Sequence, residues 1–199
     1  MKLYLVRHGQ STGNVAGTLL GQGDHLLTEL GEEQARAAAA RLAPFGPMTL
    51  YCSDLARAVA TAEYIASAWD DQELSGAPAL LPDSRLREID LGDYEGRPWE
   101  EFEADEELTA AFAEDPYRTE LPGGESLAHI ETRVMAAVRD ILDHAEEHKS
   151  LRFHCHQTSD QTKSFTGCAG RGHLRIFLVF GLVDCHHLPI GNHDIRGVA

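Results

Sequence analysis

The sequence predicts an α/β protein: a three-layer α/β/α sandwich around a mostly parallel central sheet, with a small cap-like insertion. Short apolar stretches such as "KLYLVR" and "TLYCS" alternate with longer segments whose apolar residues recur at helical spacing. Strands separated by helices pair in parallel and are covered on both faces. The chain has 199 residues, 43% apolar and 25% charged, which suits one globular domain spanning 1–199 with a sizeable core.

The elements follow in order. Residues 2–7 read as a buried parallel strand. "LTELGEEQARAAAARLAPFG" reads as a helix after Thr28: its alanines favour helix, and "PFGP" stops it. "TLYCS" is a second strand. "DLARAVATAEYIASAW" is a second helix, with Leu55, Val59, Ala62, Ile65 and Trp69 on one face. "LREIDLGDYEG" is turn-rich. Residues 97–117 are acidic and helix-prone, and Pro116 ends them. "LPGGES" is a loop with a helix start at Ser126, after which Leu127, Ile130, Val134, Val138, Ile141 and Ala145 repeat at helical spacing. "LRFHC" reads as a third strand. The cap-like insertion is expected at about 85–125.

Charge narrows the partners. A formal net charge of -15 repels nucleic acid and anionic membranes, so neither is expected. It also slows a phosphorylated substrate unless a local basic pocket outweighs it. The acidic runs at Glu100 to Glu107 and at Glu146 and Glu147 read as solvated faces. No apolar run approaches the length of a membrane span. "MKLYLV" is too short for a signal peptide. Cys52, Cys155, Cys168 and Cys185 show no disulfide-framework spacing, which points to a reducing cytoplasm. Oligomeric state is not legible.

The chemistry concentrates in "LVRHGQSTGN", residues 5–14. Ligands of open α/β sheets bind beyond the carboxyl ends of strands, and Arg7 and His8 stand at such an end. A guanidinium offers a rigid fork of donors that matches phosphate. A neutral imidazole is a competent nucleophile. Gly9 lets the backbone approach an anion.

This stretch resembles the signature of the histidine phosphatase superfamily, the phosphoglycerate-mutase-like proteins: Arg-His-Gly, then Glu or Gln, then Ser or Thr, two residues and Asn. "LTELGEEQA", "YCSDLARAVATAEYIA" with Arg57, "LREIDLGDYEG" with Glu88, "LPGGES" and the late "LPIGN" resemble the family's next elements, in the family's order. The resemblance implies that His8 attacks phosphorus and becomes a phosphohistidine. It implies that Arg7 and Arg57 clamp the phosphoryl oxygens and that Asn14 donates to them. It implies that Glu88 protonates the leaving oxygen and later activates water, which needs a raised pKa. Asp90 and Glu95 are rivals for that role. The plainer readings are a surface salt bridge for Arg57 and a turn residue beside Gly13 for Asn14; Glu125 in "LPGGES" either supports the site from behind or stabilises a helix N-terminus.

The family's second histidine, in a "SHGG"-like motif, has two candidate registers here. A strand at "LRFHC" places His156 as a catalytic and phosphate-binding donor. Treating "GRGHLRIFLVFGL" as the helix that follows the histidine places Gly170 there instead. Residues 151–171 depart from the family pattern, and a local disturbance of the reading frame is one account of that. His154, Cys155, His156, Cys168, His173, Cys185, His186 and His187 crowd this region, but their spacings match no usual zinc frame, so no metal is expected. Taken together, the resemblance implies a phosphomonoester hydrolase acting on a small phosphorylated metabolite, with no metal or cofactor. The alternatives are a phosphoglycerate mutase, and a phosphate-binding protein with impaired turnover. The short segment between Glu88 and Gly123 favours hydrolysis over a mutase.

Overall fold

Four strands form one parallel sheet in the order β1-β4-β2-β3 among the described residues. They are β1 (Lys2–Arg7), β2 (Leu50–Cys52), β3 (Leu80–Pro82) and β4 (Arg175–Phe180). The computed structural model describes residues 2–45, 49–70, 79–148 and 175–180. Six α-helices accompany the strands among these residues: α1 (Thr12–Ala16), α2 (Glu29–Leu42), α3 (Ala56–Asp70), α4 (Trp99–Glu103), α5 (Glu106–Glu114) and α6 (Leu127–His148).

Strand periodicity separates the layers. Tyr4, Val6, Leu50 and Cys52 pack on one face of the sheet with Ala39 and Leu42 of α2 and with Ala62, Ile65 and Trp69 of α3. Leu5 and Tyr51, one step out of phase, pack on the other face with Ala137, Val138 and Ile141 of α6. This is the three-layer sandwich that the alternation predicted. The predicted stripe of α3 is the buried one: Ala62 and Ile65 are fully buried, and the Trp69 Nε1–H donates to the Leu42 carbonyl at 3.2 Å. The Thr28 side chain caps α2, accepting from the Gly31 N–H.

Residues between Ile89 and Leu121 bury a cluster of their own, formed by Ile89, Leu91, Tyr94, Phe102, Leu108, Phe112 and Leu121. The helix-prone stretch predicted over 97–117 is two helices. Asp105 accepts from the Leu108 N–H at 2.9 Å and so starts α5 afresh after α4. Two short elements were not predicted: β3, an edge strand of three residues, and α1, nucleated by a capping box between Ser11 and Asn14.

One register is corrected. "RIFLVF", read in the alternative alignment as part of a helix, is strand β4. It lies between β1 and β2, with Ile176 opposite Leu3 and Phe177 opposite Leu50. A central parallel strand is covered on both faces, so an apolar run rich in β-branched and aromatic residues (Ile176, Phe177, Val179, Phe180) suits it better than a helix. "LRFHC", His156, Gly170 and the whole His and Cys cluster weighed as a zinc site lie outside the described residues. Among those described, no helix is long and apolar enough to cross a membrane.

Candidate active site

Because the sheet is parallel, the carboxyl ends of β1, β2 and β3 open on the same side. β1 delivers Arg7 and then His8. β2 leads through Ser53 and Asp54 into α3, whose first turn carries Arg57. β3 leads through a 3₁₀ turn at Ser84–Leu86 to Glu88. Arg7, His8, Arg57 and Glu88, with Asn14, line one cavity of about 450 Å³.

His8 is held in a defined orientation. It is 8% exposed, and its Nδ1 lies 2.7 Å from the Gly9 carbonyl. A carbonyl only accepts, so Nδ1 carries the proton and Nε2 keeps its lone pair. The Arg57 Nε–H donates to Nε2 at 3.2 Å, which favours the same tautomer. The Gly9 N–H donates to the Thr61 Oγ1, and that hydroxyl donates to the Arg57 carbonyl. The strand end and α3 are thereby locked together.

Arg57 is 2% exposed, so the reading as a surface salt bridge is corrected. Its two terminal nitrogens donate to the Gly23 carbonyl at 2.9 Å and the Gly21 carbonyl at 2.7 Å. Burial pulls its pKa down, while nearby Glu88 and Glu95 oppose that pull. Glu95 holds the same loop from its other side, with Oε1 accepting from the Gly21 and Gly23 N–H groups at 3.0 and 2.5 Å.

Of the three candidate acids Glu88, Asp90 and Glu95, Glu88 is the one that lines the cavity. It is 7% exposed, and burial pushes its pKa up to about 7. The Ile89 N–H and the charges of Arg57, Arg7 and Arg133 oppose that rise. Its rivals are committed elsewhere. Asp90 accepts from the Gly92 N–H in a turn, and Glu95 braces the 21–23 loop. Asn14 lines the cavity but is neither a simple turn residue nor wholly available. Its Oδ1 accepts from the Ser11 N–H and hydroxyl, leaving only its Nδ2 to donate to a ligand.

Gly9 serves packing as well as room for an anion. A Cβ there would sit 2.2 Å from the Gly31 carbonyl oxygen, so only glycine lets the motif lie against the start of α2. Glu125 is an ion-pair partner more than a helix cap: it grips Arg133 through two bonds of 2.8 Å.

Arg133 is the side chain that sequence reasoning missed. It donates to the carbonyls of Arg85, Arg87 and Glu88 at 2.9, 2.6 and 2.8 Å, and so carries the Glu88 backbone. A signal was present. Arg133 lies three residues after Ile130 and four before Ala137, on the inward face of α6, where a charge needs partners. Thr61, four residues after Arg57 on the buried face of α3, carried a similar one.

The sequence model of the histidine phosphatase superfamily, branch 1, matches residues 3–159. The chain belongs to the histidine phosphatase superfamily. The probable phosphoglycerate mutase GpmB of Erwinia tasmaniensis is 35% identical over 152 residues, 76% of this chain and 67% of that protein. A mycobacterial glucosyl-3-phosphoglycerate phosphatase of known structure superposes with a TM-score of 0.67 at 31% identity, covering 89% of this chain and 72% of that one. The alpha-ribazole phosphatase of Shigella flexneri, at 24% identity and a TM-score of 0.65 over 92% of this chain and 74% of its own, shares the fold. In this member of the superfamily Arg7, His8, Arg57 and Glu88 line one cavity.

Proposed function

We propose that this histidine phosphatase is a phosphomonoester hydrolase working through a phosphohistidine on His8. The observation that carries the reading is the orientation of His8, with Nδ1 tied to the Gly9 carbonyl and Nε2 turned to Arg57. The substrate phosphoryl group sits between Arg7 and Arg57, whose positive charge stabilises the transition state. Nε2 attacks phosphorus, the P–O ester bond breaks, and the leaving oxygen takes the Glu88 proton. The alcohol departs. Water then attacks the phosphohistidine and gives a proton to the Glu88 carboxylate. Inorganic phosphate leaves, and His8 and protonated Glu88 are restored. The two arginines supply the charge that a metal would otherwise provide.

The test is release of inorganic phosphate from an aryl phosphate in the presence of chelator. Activity only with an added divalent ion would overturn the metal-free mechanism. The name of the Erwinia relative favours a second reading, in which the phosphohistidine returns its group to a bound sugar acid. Interconversion of 2- and 3-phosphoglycerate without phosphate release would establish that reading instead.

Glu88 gives a pH signature. As the acid it must be protonated, so kcat/KM for alkyl phosphates should fall as pH rises through about 7. Glu88→Gln should slow alkyl phosphates far more than aryl phosphates, whose leaving groups need little protonation. Equal losses on both would remove Glu88 from the role. The same burial has a sign in stability. A carboxyl raised above its ordinary 4.5 favours the fold below that value, and the contribution is lost as pH rises through about 7. Denaturant titrations should therefore show Glu88→Gln gaining on the wild type by a few kcal/mol between those limits.

Arg133 acts here as a positioning residue for Glu88. Arg133→Ala should lower kcat roughly 100-fold through displacement of the acid. Removing its charge should also move the alkaline limb of the profile to higher pH, because Arg133 holds the Glu88 pKa down. An unmoved limb would leave Arg133 a purely structural role. For the far-side donor we propose His156. His156→Ala should cost about 2.7–4 kcal/mol of transition-state stabilisation, with His154→Ala and His173→Ala milder. A wild-type kcat in His156→Ala would exclude it.

A further inference from the structure

The cavity is larger than a phosphate needs, and its lining is of two kinds. Arg7, Arg57, His8 and Glu88 form one polar group in its lining: the Arg57 Nε–H donates to His8, and the charges of Arg57 and Arg7 act on Glu88. Much of the remaining lining is apolar: Phe102 and Phe112 belong to the buried cluster between Ile89 and Leu121, and Leu19 and Trp99 pack against that same cluster. These walls are built, not incidental. Phe102 packs against Tyr94, Trp99 and Phe112 at ring-centroid distances of 5.6, 5.0 and 5.6 Å. Backbone bonds hold Leu19 to the turn that precedes α4: the Leu19 N–H donates to the Arg97 carbonyl at 2.8 Å, and the Gly96 N–H to the Leu19 carbonyl at 2.9 Å. Among the described residues that line the cavity, the arginines are Arg7 and Arg57, there is no lysine, and the remaining carboxylate beyond Glu88 is Glu100.

From this asymmetry we propose that the apolar part of the lining is an alcohol subsite selecting phosphomonoesters of hydrophobic alcohols, alkyl or ring-bearing, over esters that carry a second anionic group. The inference rests on the reading of the arginine group as the phosphate site. Both arginines are consumed by the phosphoryl group. A second carboxylate would lie against aromatic walls or beside Glu100, desolvated and, among the described lining residues, without a partner cation beyond the two arginines. An apolar chain there is removed from water and costs no polar group its partner. The volume of about 450 Å³ lies within the range that encloses ligands well beyond phosphate itself, roughly 300–1,000 Å³.

Binding of phosphonates tests the subsite apart from turnover, because a phosphohistidine mechanism leaves the C–P bond intact. Calorimetry on the full chain should give hexyl- and phenylphosphonate roughly 10-fold or more tighter binding than methylphosphonate, the scale of added apolar contact in a hydrophobic pocket. 3-Phosphonopropionate should bind no tighter than methylphosphonate. Trp99→Ala should shrink the hexyl-to-methyl ratio, and Glu100→Lys should favour the carboxylate-bearing ligand. A flat series, tightest binding of 3-phosphonopropionate, or no phosphonate binding at all overturns the proposal. A graded series with no hydrolysis of hexyl phosphate upholds the subsite and sinks the hydrolase reading alone. Hydrolysis with a flat series does the reverse.

Discussion

His8→Ala should abolish hydrolysis of aryl and alkyl phosphates alike, a loss of roughly a million-fold in kcat, the scale of deleting an enzyme's nucleophile. The expectation follows from how narrowly the ring is held. The Gly9 carbonyl fixes the proton on Nδ1, so Nε2 is the unprotonated ring atom, and in the resting site it accepts from the Arg57 Nε–H. Neighbouring carboxylates cannot replace it, because Glu88 is protonated below about pH 7 and Asp90 and Glu95 hold backbone groups. The check is twofold: steady-state phosphate release, and acid-labile labelling of the protein by a radioactive phosphomonoester. Residual turnover with retained labelling in His8→Ala would place the covalent step elsewhere.

Arg57→Ala should lower kcat roughly a thousand- to hundred-thousand-fold, the range for an arginine that stabilises a transferring phosphoryl group. It should also destabilise the fold, because the Gly21 and Gly23 carbonyls lose their donors and a buried guanidinium leaves a void. Arg57→Lys separates the two effects. An ammonium restores charge, but it cannot reach His8 and both carbonyls with the rigid fork of a guanidinium. Its stability should recover more than its kcat. Full kcat in Arg57→Lys would reduce Arg57 to a point charge and count against the fork.

What was legible in the sequence is local. Thr28 as a cap, the buried stripe of α3 and the start of α6 depend on neighbours a few residues away, and short-range rules read them correctly. "RIFLVF" admitted a helix in one of two alignments because the apolar run Ile176 to Phe180 has no period of its own. Only its partners β1 and β2 make it a strand. The helix-prone stretch over 97–117 divided because Asp105 offered a cap that composition does not reveal.

By itself the sequence determined the α/β class, the order of its motifs, and residue types at Arg7, His8, Arg57 and Glu88 that suit phosphate chemistry. Only the tertiary structure decided which of Glu88, Asp90 and Glu95 lines the cavity, since the three are alike in type and adjacent in the chain. Burial separates them: one loses water and holds its proton toward pH 7, while the others accept backbone N–H bonds. The structure alone also joined His8 to Arg57, 49 positions apart, and Arg133 to the Glu88 backbone, 45 positions apart. The physical reason is the range of the forces. Helix periods and caps act within a few residues, whereas desolvation and buried hydrogen bonds depend on packing between segments that meet only when the chain has folded.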